Sequence, residues 1–188
     1  MTMWLGTVRN SASQPPSVLP SPVVPAGLVA GIFGALAFLA AMALDLALTR
    51  RKTNDLRLLA GLLPGGAPHW PWLGLLMHCV NGAALGMLYG SLRKRLPHPG
   101  WKGGLLFAVA ENLILWPVLL VLDRIHPEVR AGRLEPFNRP VPFLQEVWRH
   151  VAYGVTLGWV YDSLSQSSFA PSPSRASADS LPDVTNED

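Results

Sequence analysis

Three stretches of this chain are too long and too apolar for ordinary core helices. Ala26 to Leu44 carries no charge, Pro71 to Leu92 carries no acid, Lys or Arg, and Gly103 to Leu122 carries one such residue, Glu111. About 20 apolar residues in a helix cross the ~30 Å hydrocarbon layer of a bilayer. Inside that layer a backbone must satisfy its own hydrogen bonds, so only helices and closed barrels can span it. These blocks are continuous rather than alternating, which selects helices. Composition agrees: 14% of the 188 residues are charged, against about 25% in soluble domains. The chain reads as an all-α integral membrane protein whose first partner is the lipid bilayer.

A repeat sets the architecture. His78-x3-Gly82-x2-Leu85-Gly86-x2-Tyr89-x-Ser91-Leu92 returns as His150-x3-Gly154-x2-Leu157-Gly158-x2-Tyr161-x-Ser163-Leu164. Such self-similarity marks a duplicated unit. It predicts four spanning helices over about 26–48, 71–92, 103–123 and 143–164, built as two tandem hairpins. A repeat of two spans preserves direction, so the halves should relate by a pseudo-two-fold axis along the membrane normal. The fourth segment is the least apolar, with Glu146, Arg149 and His150 in its first turns. A charge at mid-bilayer costs roughly 2.5–3.5 kcal/mol, and less near a helix end, where long side chains reach the interface. The Pro/Ser-rich stretches 1–25 and 165–188 should be disordered tails flanking a membrane domain over 26–164.

Several function classes have no support in the sequence. There is no basic face with aromatics for nucleic acid. The single cysteine, Cys79, allows no internal disulfide and no CxxC metal site. No phosphate loop, nucleophile elbow or H-E-x-x-H zinc motif is present, so no catalytic residue and no cofactor is assigned. No secretory signal precedes the first span, which should remain as an anchor. The short loop holding Arg93, Lys94 and Arg95 is the densest basic cluster, and short loops weigh most in the positive-inside rule, which leans towards both termini inside.

The residues that can carry chemistry lie within the spans. Gly82, Gly86 and Gly90 share one helix face, as do Gly154 and Gly158. Small residues at this spacing let backbones approach closely in lipid, and they predict a central contact between the second and fourth helices. Glu111 is an acid within the third span, a functional hypothesis by default. It reads either as a proton or cation site or as a protonated group holding helices together. Thr156 and Asn81 are expected at similar depth. His78 and His150 hold equivalent places in the repeat. They read as interhelical hydrogen-bonding partners, or as ligands of a haem or metal ion, with Glu146 as a third ligand. Arg149 can pair with Asp45 or Asp123 across helices.

The opening His78 and closing Tyr89 of the second span, the Pro97/Pro99/Gly100 loop, Pro117 late in the third span and Glu146-x3-His150 opening the fourth resemble the YagU-like group of bacterial inner-membrane proteins. The likeness covers roughly residues 70–164. It implies a four-span fold, a bacterial inner-membrane location and a link to acid stress. Three functions follow as expectations: a non-enzymatic structural or accessory membrane protein, a proton- or cation-coupled transporter using Glu111, or a redox component through His78 and His150. A homo-oligomer or a membrane protein partner is compatible with each.

Overall fold

The computed structural model describes residues 23–167, and they are helical apart from turns and short connections. The helices are α1 (Val23–Thr49), α2 (Asp55–Gly61), α3 (Trp70–Leu92), α4 (Gly100–Ile125), α5 (Pro127–Arg130) and α6 (Pro140–Ser167). Three of the long helices are long and apolar enough to cross a membrane, over Pro25–Thr49, Ala67–Arg95 and Gly100–Ile125. The tails expected to be disordered lie largely outside the described residues. At both borders, however, the helix runs further than expected, to Val23 and to Ser167.

Helix α1 packs on both α3 and α6, and α4 packs on α6. The glycine faces do not meet as the sequence predicts. Gly82 and Gly86 of α3 lie against Gly31 and Gly27 of α1, and Gly154 and Gly158 of α6 lie against Gly104 and Gly100 of α4. Each contact is backbone on backbone. A Cβ built at Gly31 would sit inside the carbonyl oxygen of Gly82, and one at Gly104 inside that of Gly154. Gly90 is buried one turn beyond Gly86. Helices α3 and α6 touch instead through larger side chains. Tyr89 and Tyr161 stack edge to face at 5.3 Å, and Tyr153 reaches towards the Gly82 carbonyl at 3.5 Å. The physical reason is simple: a glycine face can serve one close neighbour, and α1 and α4 present the matching small residues.

Helices α3 and α4 meet at the Tyr89–Phe107 edge contact, 5.5 Å between ring centres. Away from that contact they splay apart and leave a lateral gap. At the narrow end, Gly100 takes a left-handed turn (φ 63°). The Asp162 carboxylate accepts from its N–H at 2.6 Å and from Arg93 at 3.0 and 3.1 Å.

The wide end carries a folded cap. The first loop contains α2, which lies so close to α3 that a Cβ at Gly74 would overlap the Leu56 backbone. The Asn54 side chain accepts from the Arg57 N–H at 3.1 Å and caps α2. Asp123 accepts from the N–H groups of Phe137 and Asn138, both at 2.7 Å. Leu58, Leu134 and Phe137 form a small apolar core beneath, with Trp116 and Leu119 against it. Trp72 and Trp101, at the starts of α3 and α4, are 80% and 48% exposed.

Candidate functional site

Arg149 is the centre of the polar interior and is fully buried. Its Nε and Nη2 donate to the two oxygens of Asp45 at 2.7 and 2.8 Å. Its Nη1 donates to both Asp55 and Glu146, at 2.9 and 2.8 Å, and Nη2 also reaches Thr53 at 3.2 Å. Gln145 donates to Asp45 at 2.7 Å and accepts from Thr53 at 3.0 Å. Four elements therefore converge: α1 through Asp45, the first loop through Thr53, α2 through Asp55, and α6 through Gln145, Glu146 and Arg149.

The charges do not balance. Asp45 and Arg149 form a bidentate pair that is neutral by itself. Asp55 and Glu146 accept from the remaining nitrogen, Nη1, whose two N–H groups serve one carboxylate each. The cluster thus holds three carboxylates against one cation, all less than a tenth exposed. A low-dielectric interior does not hold surplus negative charge without a proton or a cation.

One turn along, the same helix presents His150. Its Nδ1 lies 2.8 Å from the Glu146 carbonyl oxygen, which assigns the proton to Nδ1. Its Nε2 faces Glu111 Oε2 at 3.0 Å, off the line of a hydrogen bond. The contact is an ion pair only where the imidazole is protonated. Phe38 packs on both His78 and His150, with ring centres 4.8 and 5.2 Å away. The two histidines therefore share an aromatic neighbour. His78 is buried, and its Nε2 has no partner.

Two spaces adjoin these groups. A cavity of about 40 Å³ is lined by His78, Asn81, Glu111, His150, Tyr153 and apolar neighbours. A water needs roughly 10–15 Å³ and two to four polar partners, so this space suits two or three waters bridging His78 and Glu111. A wider cleft of about 220 Å³ fills the splay between α3 and α4. Leucines of α2 and α4 form its walls, Asp55, Glu146, His78, Asn112 and His150 form its inner end, and the exposed Asn81 lines it as well.

Of the residues singled out in the sequence, His78, His150, Glu111, Asn81, Glu146 and Arg149 fall in this one region. Thr156 lines neither space and is half-buried further along α6. Arg149 takes Asp45 as its partner, not Asp123, which is engaged in the cap. Among the described residues no three His, Cys, Asp or Glu side chains converge to hold a metal ion. Sequence reasoning missed Asp55 and Thr53, which lie in a segment read as loop, and Gln145 and Asn112.

A second acid–arginine cluster locks the cap. Glu128 is fully buried and accepts from Arg57 Nη1 and Arg133 Nε, both at 2.9 Å, and from Arg133 Nη2. These bonds, Arg133's first, hold its carboxyl at about 2, below the usual 4.5. Arg57 also stacks over Trp70 at 4.5 Å. A carboxyl depressed in the folded state stabilises above its unfolded value, and that stability is lost as pH falls towards the folded one. Hydrogen exchange in α2 and α5 is therefore expected to accelerate as pH falls through the window from about 4.5 to about 2, after correction for intrinsic rates. Glu128→Gln is expected to remove that pH dependence; a wild type whose cap protection is flat across the window contradicts the latch.

The fold and interior define a helical protein with three membrane-length apolar helices and a buried acid–arginine–histidine cluster. The chain belongs to the DUF6789 family, a family of unknown function, whose model matches residues 22–171 and so takes in all the described helices. No curated protein and no solved structure matches it.

Proposed function

We propose that this chain is a four-span, non-enzymatic protein of a bacterial inner membrane that binds protons on its buried network and couples them to transport. Helix α6 supports the fourth span. Its start pairs with Asp45 near the end of α1, and its far part lies on Gly100 and Gly104 at the start of α4. A helix packed along two membrane-length neighbours runs through the same layer, and Asp45 neutralises its one fully buried cation. The internal duplication is supported by the matching glycine contacts, α1 on α3 and α4 on α6, and by the meeting of the equivalent tyrosines, Tyr89 and Tyr161. The YagU-like resemblance and its link to acid stress are consistent with a proton-responsive role. Termini on the cytoplasmic side follow from the Arg93-Lys94-Arg95 loop.

The surplus of Asp55 and Glu146 over the single Arg149 is the observation that carries the proton reading. Infrared spectroscopy of the purified protein in cation-free buffer at about pH 7 tests it, because exposed carboxyl groups are ionised there. A carboxylic-acid carbonyl band is expected in the wild type and is expected to weaken in Glu146→Gln, which removes one of the two carboxyls in excess of the Asp45–Arg149 pair. A wild type with no such band means that the network is fully ionised and sinks this reading.

The structural or accessory reading draws on a different observation: every donor of the Arg149 fork is engaged, and the cluster ties α1, α2 and α6 together. That reading stands if the band is absent. The redox reading has less support, because Phe38 packs on both imidazoles and the cavity beside them is water-sized.

A further inference from the structure

The cleft between α3 and α4 lies beside two helices of membrane length and ends on the surplus carboxylates. Its walls are aliphatic: Leu58 and Leu59 from α2, Leu62 just beyond it, and Leu115, Val118 and Leu122 from α4. Its inner end is polar and incompletely bonded. His78 is 8% exposed and its Nε2 has no partner. In the neutral imidazole with its proton on Nδ1, this unpartnered Nε2 is an acceptor. Asn112 is 3% exposed, lines the same end and makes no side-chain hydrogen bond among the described residues. Asp55 and Glu146 complete the rim of acceptors.

Acceptors surrounding a surplus of negative charge, reached through an apolar opening, match one chemistry: a cationic donor on a hydrocarbon body. We propose that the cleft takes the head of a lipophilic primary or secondary ammonium ion from the bilayer, in exchange for the proton held by Asp55 and Glu146. The ammonium N–H groups would bond to these carboxylates, to His78 Nε2 and to the Asn112 carbonyl, with the hydrocarbon lying along the leucines. This names the substrate class of the proton site and rests on that reading. The groups facing the exchanging carboxylates are Arg149 and His150 of α6, Asp45 of α1, Asp55 of α2, His78 of α3 and Glu111 of α4. Arg149 brings one positive charge against the three carboxylates it bonds, so it does not fill the cleft's need for positive charge.

The test compares radiolabelled decylammonium with decanol, which has the same chain and a neutral head, on the full chain in nanodiscs, with empty nanodiscs subtracted. Decylammonium is expected to bind at least about tenfold more tightly than decanol. Its affinity is expected to rise by up to about tenfold per pH unit between about pH 5 and about pH 7, as one proton is displaced. The displaced proton should also be visible as a loss of the carboxylic-acid infrared band on adding decylammonium. Glu146→Gln, which removes one of the two exchanging carboxyls, is expected to weaken both the binding and its pH dependence. Should that variant fail to fold, Val118→Trp, at a half-exposed position on the cleft wall, is expected to block binding by filling the opening. Equal binding of decanol, pH-independent binding of decylammonium, or full binding in Val118→Trp each overturns the proposal. A persistent infrared band with no decylammonium bound overturns it while leaving the proton site intact; absence of the band in the free protein overturns the proton reading itself.

Discussion

Arg149→Met is expected to destabilise the protein by about 3–5 kcal/mol, the range for breaking a buried ion pair from one side. The loss is large because the guanidinium is the cation on which Asp45, Asp55 and Glu146 all converge. Methionine preserves much of the stem and its packing, so the cost reports mainly on stranded charge and lost hydrogen bonds. The deficit should shrink as pH falls, since protonation removes the charge that Arg149 neutralised. It should also shrink in the double variant Arg149→Met/Asp45→Asn, because the bidentate partner is removed as well, and such non-additivity is the sign of a direct pair. Unfolding in mixed micelles, followed by helical circular dichroism, measures both effects. A loss below about 1 kcal/mol, or strict additivity with Asp45→Asn, would mean that other groups neutralise the carboxylates.

How far this interior was legible depends on what a sequence pattern encodes. Periodicity and the absence of charge disclose spans, because both follow from the bilayer itself. The face of a helix is also legible, and Gly82 with Gly86, or Glu146 with His150, share a face by the helical repeat alone. A partner is not encoded in the same way. The glycines of α3 were expected to seek those of α6 because the two segments look alike, yet likeness comes from duplication and contact comes from complementary shape. Gly27 and Gly31, and Gly100 and Gly104, carried the missing information: small pairs that recur in the other helix of each hairpin. Asp55 was hidden for another reason. It sits in a seven-residue helix too short to show a period, and its importance arises from a tertiary meeting with Arg149, 94 positions away. Glu111 and His150 were each conspicuous as polar residues in apolar surroundings. That they face one another required the crossing of α4 and α6.

The glycine contacts supply the second large effect. Gly31→Leu and Gly104→Leu are each expected to destabilise the protein by at least about 2 kcal/mol, towards the upper end of overpacking costs. In both cases the added Cβ meets a backbone carbonyl, which cannot rotate away as a side chain can. The two variants should resemble each other, since each wedges apart one hairpin. Ala84→Leu, on the exposed side of α3, should fall within about 0.5 kcal/mol of the wild type. Double-mutant cycles distinguish the observed packing from the one that sequence likeness suggested. Gly31→Ala and Gly86→Ala occupy one contact and should couple, because once the helices have been pushed apart the second methyl costs less. Gly86→Ala and Gly158→Ala lie in different hairpins and should add. Coupling between Gly86 and Gly158, with additivity between Gly31 and Gly86, would place the close contact between α3 and α6 and overturn the arrangement of helices on which the lateral cleft depends.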